Sequence, residues 1–242
     1  MSGTGGVRFG IVVFPGSNCE YDALHALSTF PEAEPFYLWH KDHDLADADC
    51  IILPGGFSYG DYLRPGAIAR FSPIMREVSD FARNGGIVLG ICNGFQVLTE
   101  AHLLRGALLQ NNSLRFVCHA QHLRVERTDT PFTEHYQKGQ VIQIPVNHND
   151  GNWTVGPGEM RDVEDEGLVV FRYCDEDGNV VPEANPNGAT DNVAGIVNSQ
   201  GNVLGMMPHP ERVSEGSLGG VDGRSIFSSL VGRLRAGVKS DG

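Results

Sequence analysis

Positive charge is scarce in this chain. Its 242 residues carry 18 Lys and Arg against 30 Asp and Glu, a formal net charge of −12, and lysines cluster nowhere. Proteins that hold nucleic-acid phosphates do so with clustered cations, so no nucleic-acid partner is expected. Long apolar runs are missing too. Nothing approaches the ~20 apolar residues that cross a bilayer, and residues 1–6 are small and polar, unlike a secretory leader. No membrane partner is expected either. Cysteine is sparse: Cys19, Cys50, Cys92, Cys118 and Cys174 are odd in number, widely spaced and form no CxxC pair. That argues against a disulfide framework and against a metal site, and for a reducing cytoplasm. In such a compartment one cysteine can serve as a nucleophile. A phosphate loop of the form G-x-x-x-x-G-K-[ST] is also lacking, since the nearest stretch, residues 219–225, fails the spacing.

What is present is an apolar share of 40%, enough to bury a real core. Over the first hundred residues, short apolar runs at 9–14, 36–39, 50–53 and 87–91 read as buried strands. Ser17 and Glu20 have the spacing of a capping box for a helix continued by Ala23, Leu24, Leu27 and Phe30. Ser72-Pro73 opens another, with Ile74, Val78 and Phe81 on one face and Gly85 beyond its end. Strands alternating with helices predict βαβ units on a parallel sheet. From about Arg115, strand-like runs follow one another, at 116–125, 141–146, 168–173, 193–197 and 203–207. Turns such as Asp177-Gly178, Asn187-Gly188 and Gln200-Gly201 lie between them, which is hairpin chemistry. A last helix from about Asp222 turns Ile226, Phe227, Leu230, Val231 and Leu234 inward. The expected fold is α/β: a mostly parallel sheet flanked by helices, with antiparallel hairpin strands added in the second half. With no repeat or linker in view, one domain over residues 1–242 is expected.

Gly90-Ile91-Cys92-Asn93-Gly94 has the G-x-nucleophile-x-G form of a nucleophile elbow, with cysteine as the nucleophile. An apolar strand precedes it, and Phe95, Val97, Leu98, Ala101 and Leu104 follow at helical spacing. Cys92 would thus stand at a helix N-terminus, where backbone N–H groups favour the thiolate. Attack on a carbonyl needs oxyanion donors; the N–H of Asn93 and one from Pro54-Gly55-Gly56-Phe57 are the candidates. A proton shuttle is needed as well. Of nine histidines, His209 in Pro208-His209-Pro210-Glu211 fits best. In an extended segment, His209 and Glu211 would project to one side, so that the carboxylate holds the imidazole in one tautomer. His40 and His43 read as a solvated loop, and His119 and His122, three apart in a strand, face opposite sides. His148, in Asn147-His148-Asn149-Asp150-Gly151, is open between a substrate or partner contact and a surface loop. Cys19 reads as a small packed residue, and Cys50, Cys118 and Cys174 as core.

These residues resemble the class I (triad) glutamine amidotransferases. The resemblance rests on Pro15-Gly16-Ser17-Asn18-Cys19, on the block from Pro54-Gly55-Gly56-Phe57-Ser58-Tyr59 through Gly60-Asp61-Tyr62-Leu63-Arg64, on Cys92-Asn93-Gly94-Phe95-Gln96, and on Gly205-Met206-Met207-Pro208-His209-Pro210-Glu211-Arg212. It covers almost the whole chain and is strongest toward glutaminase subunits of purine biosynthesis. It implies hydrolysis of glutamine to glutamate and ammonia, with Cys92, His209 and Glu211 as the triad. Gly55, Gly56, Phe57, Ser58, Tyr59, Asn93 and Gln96 would match positions that hold glutamine or frame its pocket. It also implies partners: a large synthetase chain, which uses ATP and Mg, and a small bridging subunit. No cofactor is implied on this chain, and glutaminase activity alone should be low. One departure is visible, because the family commonly shows His-Gly-Glu-Gly where this chain has His148-Asn149-Asp150-Gly151. Other uses of the same residues stay open from sequence: a subunit of a different amidotransferase, a partner-free γ-glutamyl hydrolase, or a non-enzymatic thiol sensor.

Overall fold

The computed structural model of the protein describes residues 5–238. The first hundred residues form β1 (Val7–Val13), α1 (Glu20–Ser28), β2 (Ala33–Trp39), β3 (Cys50–Leu53), α2 (Pro73–Arg83), β4 (Ile87–Ile91) and α3 (Asn93–Glu100). The strands run parallel in the order β2-β1-β3-β4. Every residue of β3 and β4 is buried, as expected of parallel strands covered on both faces. At the sheet edge β2 buries only Leu38 and leaves Tyr37 and Trp39 exposed.

The second half supplies β5 (Ala107–Leu109), β6 (Val117–Val125), β7 (Val141–His148), β8 (Asn152–Thr154), α4 (Glu159–Asp165), β9 (Val169–Tyr173), β10 (Val193–Val197), β11 (Val203–Met206) and α5 (Arg224–Val238). Together the strands build a nine-stranded sheet, β2-β1-β3-β4-β11-β10-β9-β6-β7, with β5 and β8 as a separate pair. The chain therefore has the α/β fold read from its sequence, with one refinement. β11 forms an antiparallel hairpin with β10 but lies parallel to β4 on its other side, so it completes the parallel half. Its four residues are all buried, which suits a strand enclosed between two others. The small β5–β8 pair and α4 were not anticipated, because three strand residues are too few to show a period.

Two local expectations are corrected. Ser17 does not cap α1: its hydroxyl accepts the Phe14 N–H at 3.1 Å and donates to the Phe14 carbonyl at 2.9 Å. Cys19 occupies the N-cap position instead, without a side-chain cap bond. The reason is tertiary, since Ser17 bridges to Gly56 and ties this turn to the loop after β3. Cys118 is exposed rather than core, because the start of β6 faces solvent, whereas Cys50 and Cys174 are buried.

On the core side, α1 and α5 pack on each other and on β1, while α3 lies across β3, β4 and β11. Ile226, Phe227, Leu230 and Val231 carry the buried face of α5. The register sets Leu53 beside Gly90 and Ile91 beside Met206. The chain segments leaving β3, β4 and β11 therefore emerge side by side at the carboxyl ends of the parallel strands, where open α/β sheets characteristically bind ligands.

Candidate active site

Cys92 sits between β4 and α3 with φ 50° and ψ −105°, a conformation few L-residues adopt. Its neighbours explain how the turn is held. A Cβ at Gly90 would lie 2.5 Å from the Leu98 side chain and 2.8 Å from the Gly94 carbonyl, and one at Gly94 would strike the Leu53 carbonyl. Only glycine lets α3 start this close to β3 and β4. The Cys92 N–H donates to the Met206 carbonyl at 2.7 Å, locking the turn to β11. Its thiol, 5% exposed, lies 3.7 Å from the Asn147 carbonyl.

His209 is held from β7, its N–H donating to the Pro145 carbonyl at 2.8 Å. Residues Pro210–Val213 form a 3-10 turn rather than the extended segment expected, so the turn brings Glu211 beside the imidazole. The Nδ1···Glu211 Oε1 distance is 2.6 Å and both side chains are buried; among the described residues no well-aligned hydrogen bond reaches His209 Nε2, although the thiols of Cys19 and Cys92 lie close to the ring. Burial would strip the proton from His209, but the charges of Glu211 and Cys92 outweigh it. They raise its proton affinity well above that of an ordinary histidine. Cys92, His209 and Glu211 are thereby brought together.

The loop after β3 packs against both. A Cβ at Gly55 would lie 2.7 Å from His209 Cε1 and 3.4 Å from Cys92 Cβ. Phe57 donates its N–H to the Gly16 carbonyl at 3.0 Å and Ser58 donates its own to Asn93 Oδ1 at 3.1 Å. Among the described residues no acceptor takes the N–H of Gly56 or Asn93, nor that of Gly55 or Gly94, so several backbone donors stand free at these two turns. The Asn93 side chain also donates to Gln96 Oε1 at 2.9 Å, and Gln96 Nε2 donates to the Asp150 carbonyl at 2.6 Å. Gln96 thus ties α3 to the 148–151 turn. Tyr59 points elsewhere, its hydroxyl bonding His40 Nδ1 at 2.8 Å and Ser72 Oγ at 2.9 Å. Asn93 Nδ2 reaches Asp61 at 3.4 Å, and burial together with the nearby Asp150 pushes the Asp61 carboxyl up to about 6.

Several residues differ from expectation. His40 is buried against Tyr59 instead of solvated. His148, at the end of β7, is no surface loop. It is buried with Nδ1 3.2 Å from Asn111 Oδ1, and burial followed by the proximity of His209 pushes its pKa down to about 3. Gly151 stands so close to the His148 ring that a side chain would collide with it. His119 and His122 pair with separate glutamines, Gln121 and Gln143. Cys19 is packed, as expected, but beside His209, and it accepts a hydrogen bond from Arg212 at 3.1 Å. Its position within the 15–19 block, directly after β1, was the available signal. Arg212 likewise closes the 205–212 block, whereas Asn111 carried no signal.

Comparison with known proteins agrees with this geometry. The family model for a CobB/CobQ-like glutamine amidotransferase domain matches residues 6–219. The chain is 59% identical over 228 residues to phosphoribosylformylglycinamidine synthase subunit PurQ of Chlorobaculum tepidum, covering 94% of this chain and 97% of that one. It is 55% identical to the PurQ subunit of Moorella thermoacetica, covering 93% and 95%. A chain in the structure of PurLQS from Thermotoga maritima superposes with a TM-score of 0.82 at 44% identity, covering 94% of this chain and 98% of that one. A glutamine amidotransferase of Thermotoga maritima, 15% identical with a TM-score of 0.53 and covering 97% and 94%, shares the fold.

Proposed function

Because this chain belongs to the glutamine amidotransferases, and among them to the glutaminase subunits of phosphoribosylformylglycinamidine synthase, we propose that Cys92, His209 and Glu211 hydrolyse glutamine at the carboxyl ends of the parallel strands. Cys92 attacks the side-chain amide carbonyl, and the N–H groups of Gly56 and Asn93 receive the oxyanion. His209 passes its proton to the departing ammonia, leaving a γ-glutamyl thioester on Cys92. Water then gives a proton to His209 Nε2 and attacks the thioester, releasing glutamate and restoring the thiolate. Glu211 holds the tautomer and balances the imidazolium throughout. Gly55, Phe57 and Ser58 shape the loop over the thiol. Asn93 and Gln96 join that loop to the 148–151 turn, and Tyr59 anchors it on the side of His40.

The observation that carries this reading is the 2.6 Å His209–Glu211 pair set beside a cysteine held at positive φ. Ammonia passes to a partner synthetase that uses ATP and Mg to form phosphoribosylformylglycinamidine. The partners are a large synthetase chain and a small bridging subunit, in the cytoplasm, and this chain needs no cofactor of its own. The likeness to a chain of PurLQS supports assembly with synthetase subunits. No described helix is long and apolar enough to cross a membrane.

An electrophilic glutamine analogue tests the proposal. Wild type and Cys92→Ser are incubated with it, alone and with the synthetase subunits, then read by intact mass and peptide mapping. One adduct on Cys92, absent from the variant, is the expected result. No adduct within an active synthetase complex would sink the reading.

A further inference from the structure

Beside the triad lies a buried polar cluster that the hydrolysis does not use. Tyr173, His148 and Asn187 are 0%, 3% and 1% exposed, and they come from β9, the end of β7 and the loop between β9 and β10. Asn187 Nδ2 stands 3.1 Å from the Tyr173 hydroxyl oxygen and 3.4 Å from His148 Nε2, so it touches both. The cluster borders the reacting atoms. The Cys92 thiol lies 3.7 Å from the Asn147 carbonyl, next to His148, and the charges of His209 and Cys92 act on His148 and Tyr173. We propose that Tyr173, His148 and Asn187 form a receiving site for the ammonia freed at Cys92, and that it holds the unprotonated molecule on its way to the synthetase. This rests on the glutaminase reading and deepens it.

The hydrogen bonds around the cluster fix which atom gives and which takes. Asn187 Oδ1 accepts the Ala189 N–H at 3.0 Å, so its NH2 faces Tyr173 and His148. The Tyr173 oxygen thus accepts from Asn187, and no acceptor among the described residues takes its O–H hydrogen. Asn111 Oδ1 accepts the Gly151 N–H at 3.0 Å and lies 3.2 Å from His148 Nδ1, which must therefore carry the ring proton. That leaves Nε2 as an acceptor whose contact with Asn187 is long. Neutral ammonia needs one donor for its single lone pair and an acceptor for an N–H, and Tyr173 and His148 offer one of each. Ammonium has no lone pair, so the Tyr173 O–H would repel it. Nor would the site create ammonium. Burial, followed by the Cys92 charge, raises the Tyr173 hydroxyl above the ordinary ~10 of tyrosine, which leaves it too weak an acid to protonate ammonia. Burial, followed by His209, keeps His148 neutral, so it brings no imidazolium proton. Asn187 also lines a surface cleft with Asn112, Asn185 and Gly188, which gives ammonia a way out.

The test uses the chain assembled with the synthetase subunits and measures glutamate and amidine in the same samples. Glutamate formed in excess of amidine is escaped ammonia, and its ratio to amidine does not depend on how fast the glutaminase runs. Losing one neutral hydrogen bond should raise the escape per amidine formed about 2- to 10-fold in Tyr173→Phe. His148→Leu should do the same, and His148→Gln, which keeps a hydrogen-bonding amide, should lose less ammonia than His148→Leu. Two positions keep the result from depending on one substitution folding, and circular dichroism checks each protein. Amidine formed from added ammonium chloride shows that the synthetase in each assembly works. Escape at the wild-type level in both Tyr173→Phe and His148→Leu, with glutamate and amidine falling together, overturns the site. Equal escape in His148→Gln and His148→Leu overturns the acceptor role of His148. Wild type that releases no glutamate overturns the glutaminase reading itself, so the two failures are distinguishable.

Discussion

Replacing Glu211 by Gln isolates the carboxylate's electrostatic task. The pair is buried and its contact is 2.6 Å, so little water screens it. With charge centres about 4 Å apart and an effective dielectric of ~20, Glu211 stabilises an imidazolium by about 4 kcal/mol. At 1.36 kcal/mol per tenfold, that corresponds to a fall in kcat of about 1,000-fold. The amide acts in a second way. If its NH2 turns toward His209 Nδ1, it donates where the carboxylate accepted and favours the tautomer whose Nε2 carries a proton, which cannot take one from the thiol or from water. The expected outcome is a loss of about 1,000- to 10,000-fold in kcat with KM changed little. Glutamate release is measured with the synthetase subunits present, and circular dichroism shows that the variant is folded. A folded variant that loses less than about tenfold would refute the claim that this carboxylate supports the charged imidazole.

Two further perturbations test the frame around the site. Gly94→Ala drives a methyl group into the Leu53 carbonyl, so it should cost about 1–3 kcal/mol in urea unfolding and slow labelling of Cys92 by the glutamine analogue; unchanged stability would show that α3 can move off β3 freely. His148 is held near a pKa of about 3, while an unfolded histidine titrates near 6.5. Below pH 6.5 the unfolded chain therefore binds a proton that the folded one refuses, and stability falls by about 2 kcal/mol between pH 6.5 and 5 from this residue. His148→Gln should remove that part of the acid-side slope in urea midpoints, and identical slopes in both proteins would refute it.

The elbow and the strand before it were legible because their cause is local. An unbroken apolar run of five residues between glycines is too short for a buried helix and reads as a buried strand, and two glycines around a cysteine mark a turn too tight for side chains. The pairing of His209 with Glu211 was legible as proximity, though its geometry comes from a 3-10 turn rather than from strand alternation. The capping role read for Ser17 failed because a distant loop, at Gly56, claimed the same turn. Tyr59 shows a similar limit: the family resemblance implied a place for it around the glutamine pocket, but its hydroxyl bonds His40 and Ser72.

Local chain chemistry was thus enough for the alternation of strands and helices, the tight turn at Cys92 and the nearness of Glu211 to His209, since each depends on residues within a few positions of one another. Only tertiary structure decided what lies next to them. It inserted β11 between β4 and β10, which carries His209 to Cys92 across more than a hundred residues of chain. It buried His148 behind Asn111 and set Cys19 against His209 and Arg212. Burial and charge at these positions are sums over neighbours from separate segments, and no periodicity or spacing along the chain encodes such a sum.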